Sequence, residues 1–301
     1  MTRLRAHPTR LLTRLLTRLL AGLLAVAILA AGCSDADTPG AGTPSGGSPD
    51  PAPGSSPAAP GPSTVTLPPR PPKPPKPLAG RVVVLDPGHQ LGNARFPAEI
   101  NRRVDAGGFT KACNTTGTSS DDGYPEATFV WEVAVELRKR LRRLGARVVL
   151  TRDDNTADAW GPCIDERGRI GNPGEPGPTA DVRVSIHADG NRSSSAHGFH
   201  VIRPGRRDGW TDDVLAPSER LALALRDALV TAGFAPSTYL GEDGIDVRTD
   251  LGTLNHSDVP VVMAELGNMR DAGDAAAMEG AAGRQRYARA LSTAIRAFLT
   301  G

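Results

Sequence analysis

The sequence VVVLDPGH, residues 82–89, joins a largely β-branched run to a turn and a histidine. Such a run is typical of a strand that is buried on both faces, as in a parallel sheet. Apolar runs of the same kind at 147–151, 182–186 and 259–263 predict three more strands. The run VVVL is therefore predicted to be an interior strand of a sheet.

Helical patterns separate these strands. From Glu126 to Leu144 the apolar residues recur at helical spacing, and Gly145 is expected to end that helix. Two more helices are predicted at about 217–232 and 283–299. Strands that alternate with helices indicate an α/β fold, here a single-domain three-layer sandwich with a mostly parallel sheet flanked by helices.

The first 33 residues resemble an export signal. Five arginines precede the apolar run 19–31, no acidic residue occurs before Asp35, and the run is too short to span a bilayer. It ends in LAAGC, which resembles a bacterial lipobox with Cys33 as the lipidated first residue of the mature protein. The alternative is an ordinary signal peptide that happens to meet a cysteine.

Residues 34–78 are rich in proline, glycine and serine and cannot bury enough apolar surface to fold. We expect a disordered linker whose proline-rich end is a stiff spacer, followed by a catalytic domain at 79–301. Without the arginines of the leader, acidic residues outnumber basic ones, so nucleic acid is not an expected partner. The organisation predicts an exported protein of the cell envelope, held by lipid on the outer face of the cytoplasmic membrane.

Two cysteines remain, Cys113 and Cys163, and both lie in loop-like sequence. In an oxidising compartment such a pair favours a disulfide bond. Two unpaired thiols are the alternative.

Groups that can bind a metal follow three of the predicted strands. His89 follows the first strand, His187 follows the run at 182–186, and Glu265 follows the run at 259–263. Ligands of open α/β sheets bind at the carboxyl ends of the strands, where Glu126 at the start of its helix also belongs. Each residue alone has an ordinary explanation, but the four together favour a metal site.

The order of these motifs resembles the order found in the zinc-dependent N-acetylmuramoyl-L-alanine amidases. The resemblance extends over residues 80–300 and rests on the segments VLDPGH at 84–89, Glu126, TRDD at 151–154, SIHA at 185–188 and ELG at 265–267. It implies a six-stranded sheet and one zinc ion per chain, held by His89, Glu126 and His187, with Glu265 as the catalytic carboxylate. It also implies that the substrate is peptidoglycan, cut between N-acetylmuramic acid and L-alanine.

Some residues depart from the family pattern, and two arginines have more than one interpretation. Asp189 stands where the family often has asparagine, and Asn268-Met269-Arg270 replaces a more usual apolar pair. Arg167 and Arg248 can meet stem-peptide carboxylates, although surface or ion-pair roles are open as well.

Two alternatives come from other classes of protein. A zinc carboxypeptidase or deacetylase shares the chemistry, but the carboxypeptidase pattern needs a glutamate at the position of Gly92. A non-catalytic wall-binding lipoprotein would be expected to lose a ligand or the base. The segment between His187 and Glu265 leaves little room for an inhibitory helix, so we expect a monomer without an obligatory activator.

Glu132 is the competing ligand on the helix that Glu126 begins. Six residues along a helix turn by about 600°, so the two side chains point about 120° apart. Only one can face the metal, and the first helical turn favours Glu126.

Overall fold

The computed structural model describes residue 61 and residues 75–301. Cys33, the leader 1–33 and nearly all of the linker predicted at 34–78 lie outside the described residues. Within the described residues, none of the helices combines the length and apolarity that crossing a membrane requires.

A six-stranded sheet forms the middle layer. Its strand order is β4-β1-β5-β8-β6-β7, and every neighbouring pair is parallel except β6 with β8. The strands are β1 (Val82–Pro87), β4 (Arg147–Leu150), β5 (Val182–Asp189), β6 (His200–Pro204), β7 (Ile245–Arg248) and β8 (Val261–Asn268). This confirms the predicted mostly parallel six-stranded sheet.

Helices cover both faces of the sheet. The long helices pack on one face, where the side chains of Val184 and Ala264 join the main hydrophobic core, while Leu254 packs on the other face. The helices are α1 (Pro97–Asn101), α2 (Glu126–Leu144), α3 (Ile164–Arg169), α4 (Leu215–Thr231), α5 (Gly252–Asn255), α6 (Ala272–Glu279) and α7 (Ala281–Thr300). The three-layer sandwich is thus confirmed, and α2 has the bounds that its periodicity predicts.

Alternation along β5 separates core residues from polar ones. Val182, Val184 and Ile186 face the main core, whereas Ser185 and His187 point to the opposite face. β8 continues past Met263 to Asn268, farther than its apolar run predicts, because it pairs with β5 on one side and β6 on the other. This extension places Glu265 inside the sheet, directly opposite His187 in the register.

The long insertion after β1 has its own small structure. It contains a 3-10 helix at Asn93–Arg95, then α1, then a hairpin of β2 (Arg103–Asp105) and β3 (Thr110–Ala112). A disulfide between Cys113 and Cys163 ties the end of the hairpin to the start of α3, as predicted. Both cysteines are buried, so this bond fixes the insertion against the domain.

Candidate metal centre

His89, Glu126 and His187 meet at the carboxyl end of the sheet. Their potential ligand atoms all lie within 4.8 Å of one another. Glu126 Oε1 is 3.1 Å from His89 Nε2 and 3.1 Å from His187 Nδ1. The structure therefore brings together all three residues that the sequence predicts as ligands.

The backbone at the end of β1 turns His89 toward this point. His89 has a φ of 56°, a left-handed conformation that non-glycine residues adopt infrequently and that is often found at functional sites. Its Nδ1 lies 3.0 Å from the Thr115 carbonyl oxygen, which can only accept a hydrogen bond. The neutral tautomer that donates from Nδ1 to this carbonyl directs its Nε2 lone pair at Glu126. Two acceptors then face each other, and a proton or a cation between them makes this arrangement favourable.

Two glycines permit the close approach of these side chains. A Cβ atom on Gly88 would lie 2.3 Å from the His187 ring, and one on Gly117 would lie 2.8 Å from Glu126 Oε2. Gly117 also has a φ of +75°, which side chains other than glycine rarely adopt. Neither position tolerates a larger residue without moving a candidate ligand.

Glu126 is held at the first turn of α2. Its Oε2 accepts a hydrogen bond from the Thr118 amide at 3.0 Å, and its Oε1 accepts one from the Ala188 amide at 3.2 Å. Burial raises the pKa of Glu126, but the positive charge that His89 carries when it is protonated, and hydrogen bonds from the protonated nitrogens of both imidazoles, lower it by more. The carboxylate is therefore ionised and oriented.

Glu132 points away from this centre, toward α7. Its Oε2 lies 2.6 Å from Arg284 Nε and accepts a hydrogen bond of 3.2 Å from the Tyr124 hydroxyl. The helical geometry that favoured Glu126 over Glu132 agrees with these positions.

A buried ion pair supports the centre from β1 and α3. Asp86, with no exposed surface, accepts bonds of 2.7 and 2.9 Å from Arg167. Ser185 and Thr151 each donate a further bond of 2.6 Å to the same carboxylate. Burial raises the pKa of Asp86, but the charge and hydrogen bonds of these partners outweigh it and hold the pKa well below its usual range. Arg167 Nη2 also lies 3.4 Å from His187 Nε2, so the pair abuts a candidate ligand.

Arg152 connects the backbones that carry the other two ligands. Its guanidinium donates to the carbonyl oxygens of Pro87 and Gly88, just before His89, and to that of Ala127, just after Glu126. The flat, five-donor guanidinium suits such a set of diverging acceptors.

Glu265 shares one cavity with the three candidate ligands. The cavity has a volume of about 420 Å³, and Arg167 and Asp189 also line it. Burial, together with the negative charges of Asp189 and Glu126, raises the pKa of Glu265 well above its usual range. A carboxylate with a raised pKa beside a metal centre is suited to accepting and returning a proton.

Asp189 follows His187 by two residues on β5 and contacts two further side chains near Glu265. The Tyr239 hydroxyl donates to Asp189 Oδ2 at 2.8 Å, and His200 Nδ1 lies 3.6 Å from the same oxygen. His200 is buried and directly opposite Glu265 in the antiparallel pair of β6 and β8. Arg248 on β7 forms bonds of 2.7 and 2.8 Å with Asp250.

The sequence motifs predicted the candidate ligands that meet here but missed most of the residues that hold them in place. Asp86 could be recognised only as part of a turn signature, and Arg152 only as part of a matching segment. Gly117 carried a weak signal, since it is a lone glycine in a threonine-rich loop. Nothing in the local sequence marked Tyr239 or His200, because their roles depend on the pairing of β6 with β8.

Comparison with known proteins gives consistent matches. Residues 83–297 match the family described as N-acetylmuramoyl-L-alanine amidase. The N-acetylmuramoyl-L-alanine amidase Rv3717 of Mycobacterium tuberculosis is 42% identical over 223 residues, which cover 74% of this chain and 88% of that protein.

Two solved structures agree with that match. The crystal structure of the N-acetylmuramyl-L-alanine amidase Ami1 from Mycobacterium smegmatis has a TM-score of 0.67 at 39% identity, covering 74% of this chain and 98% of that one. The apo form of Ami1 from Mycobacterium abscessus has a TM-score of 0.67 at 43% identity, with coverages of 73% and 99%.

Proposed function

The chain belongs to the N-acetylmuramoyl-L-alanine amidase family, and on that premise we propose that it cuts peptidoglycan with a zinc ion held by His89, Glu126 and His187. Glu265 is the catalytic carboxylate in this proposal. The observation that carries it is the convergence of three ligand atoms within 4.8 Å, in the cavity that Glu265 also lines.

The donor set fits zinc. Two imidazoles and one carboxylate are a common catalytic zinc set, which leaves one coordination position open. His89 Nε2 and Glu126 Oε1 lie 3.1 Å apart, and a cation bound by both would stabilise this arrangement when His89 is neutral with its proton on Nδ1. When bound, zinc supplies Lewis acidity, which polarises a carbonyl and makes water nucleophilic near neutral pH.

Glu265 moves the proton of the reaction. It removes one proton from the attacking water as the oxygen adds to the lactyl carbonyl carbon of N-acetylmuramic acid. It then delivers that proton to the alanine nitrogen as the carbon–nitrogen bond breaks. The products are the lactyl carboxylic acid and a free amine, so the atoms balance and Glu265 returns to its starting state.

The arginines divide into two proposed roles. Arg248 lies in the half-exposed part of β7, and we assign it contact with stem-peptide carboxylates. Arg167 is buried in its pair with Asp86 while still lining the cavity. Any contact of Arg167 with substrate comes from the nitrogen that Asp86 leaves free.

As a cell-wall amidase, the enzyme works outside the cytoplasm, and the disulfide between Cys113 and Cys163 suits an oxidising compartment. We propose further that lipid on Cys33 anchors it, with the predicted linker 34–78 as the spacer up to Leu78, which is itself fully buried in the main core and belongs to the domain. The cavity is accessible in the described chain, which supports activity without an activating protein. We propose that the enzyme acts as a monomer.

The experiment compares three purified variants for zinc content and for release of stem peptides from peptidoglycan. Glu265→Gln keeps all three ligands, so it should retain zinc and lose turnover. Glu126→Ala should lose both, and the matched control Glu132→Ala should keep both because Glu132 faces α7. Zinc loss in Glu265→Gln, or wild-type turnover in either active-site variant, would refute the assignment. A wild-type enzyme that works only after another protein is added would refute independence from an activator.

A further inference from the structure

Trp160 is exposed beside the metal centre. Among the residues that the structure describes, Trp160 is the only aromatic residue among the exposed large apolar ones, with 43% of its surface accessible. Leu91 is also a large apolar residue that is exposed, with 38% of its surface accessible. The ring of Phe96 lies under Trp160, with ring centroids 5.3 Å apart and planes at 50°, and restrains its orientation.

The chain geometry connects Trp160 and Leu91 to His89. Leu91 follows His89 by two residues. On the other side, Gly161 follows Trp160 and packs so closely that a Cβ there would lie 3.1 Å from the His89 carbonyl oxygen. The same Cβ would lie 3.1 Å from the side chain of Asn114, which lines the catalytic cavity. Gly161 thus fixes Trp160 next to the backbone of His89 and to Asn114, near the His89 side of the cavity.

The cavity wall on this side is neutral. The segment 114–118, with sequence NTTGT, contributes amide and hydroxyl groups and no charge. The charged side of the cavity is lined by Asp189 and Glu265. Lys111 also belongs to the charged side, because its ammonium group donates to Asp250, the partner of Arg248.

The substrate has the same division. Cleavage occurs between a muramoyl sugar and the first amino acid of the peptide, so the glycan strand leaves the metal on one side and the peptide leaves on the other. The peptide carries carboxylates and amines, whereas N-acetylated sugar rings carry hydroxyl and acetamido groups and apolar C–H faces. Neutral hydrogen-bonding groups and an exposed tryptophan match the sugars, and the charged side matches the peptide.

We propose that Trp160, with Leu91 and the neutral segment 114–118, forms a glycan subsite that binds the N-acetylated sugar next to the muramoyl residue under attack. This inference rests on the proposed function, since it uses the substrate orientation that the metal centre imposes. Trp160 presents its ring to the C–H face of the sugar, and the amide and hydroxyl groups of the segment bind the sugar substituents. The subsite sets the length of glycan that the enzyme recognises.

Kinetics on two substrates test the subsite. One is a muramoyl-peptide with a single sugar, and the other carries the same peptide on a tetrasaccharide. Trp160→Ala should raise KM about tenfold for the tetrasaccharide, in line with the loss of one aromatic contact, and leave kcat unchanged. The single-sugar substrate should show no change. Trp160→Phe should return most of the KM for the tetrasaccharide toward the wild-type value. Leu223 is an exposed apolar residue on α4, and Leu223→Ala is the matched control.

Binding without turnover separates this inference from the catalytic assignment. A peptide-free oligosaccharide of alternating N-acetylated sugars is titrated into the Glu265→Gln holoenzyme and into the same protein with Trp160→Ala, by calorimetry. Binding that depends on Trp160 supports the subsite even if the role given to Glu265 is wrong. Equal loss on both kinetic substrates, an unchanged tetrasaccharide KM or oligosaccharide binding that ignores Trp160 would overturn it.

Discussion

Replacing Asp86 with asparagine should destabilise the protein far more than the same change in an exposed ion pair. Asp86 has no exposed surface and accepts four hydrogen bonds, two of them from Arg167, itself only 3% exposed. Asparagine keeps the shape but removes the charge and places an NH₂ group against donors. Arg167 is then a buried charge without a counterion.

The loss in the free energy of unfolding follows from that burial. Removing one partner of a buried pair costs about 3–5 kcal/mol, because the other charge is left uncompensated. Asp158→Asn is the matched control, since Asp158 lies 2.8 Å from Arg95 but both side chains are mostly exposed. Water and salt screen that pair, so its loss should cost less than about 1 kcal/mol.

Urea unfolding of both variants measures the difference in the free energy of unfolding. Zinc is first removed by a chelator so that metal binding does not contribute. The pH dependence provides a second check. The folded-state pKa of Asp86 lies below its ordinary value of 3.8, so its stabilisation is complete above that value and is lost as the pH falls toward the folded-state pKa. The difference in the free energy of unfolding between wild type and Asp86→Asn should therefore become smaller below about pH 4. Equal costs for the two aspartates would refute this account of the buried pair.

Two further predictions concern the catalytic carboxylate and the anchor. Burial and the charge of Asp189 raise the pKa of Glu265, and a base must be ionised, so Asp189→Asn should move the acid limb of the kcat/KM profile to lower pH; a limb that stays in place would contradict the coupling. Cys33→Ser should shift the protein from the membrane to the soluble fraction without changing the activity of the domain. Wild-type protein that is already soluble and begins at Ser34 or later would disprove the lipid anchor.

The chemistry of the site could be predicted from the sequence because its signals are local. Buried strands show as short apolar runs, and α2 shows as a 3.6-residue periodicity that ends at a glycine with a φ of 105°. Functional groups of parallel sheets lie at the carboxyl ends of strands, so His89 and His187 could be placed near each other. Helical geometry then favoured Glu126 over Glu132.

The surroundings of those groups could not be predicted, because they depend on contacts between distant parts of the chain. β6 and β7 escaped detection because polar residues interrupt their apolar sequence: β6 contains His200 and Arg203, and alternate residues of the edge strand β7 are charged. β8 continues beyond its apolar run and includes Glu265 because β5 and β6, on either side of it, supply hydrogen-bonding partners.

The sequence by itself predicted which residues would meet at the site and the mostly parallel, helix-flanked sheet that carries them. The tertiary structure decided what each of them experiences. Asp86 and Arg167 are 81 residues apart, and only the packing of α3 against β1 and β5 makes them a buried pair beside His187. The pKa of Glu265 likewise depends on Asp189 across a strand boundary. Burial and charge proximity are properties of three-dimensional distance, and periodicity along a chain carries no information about them.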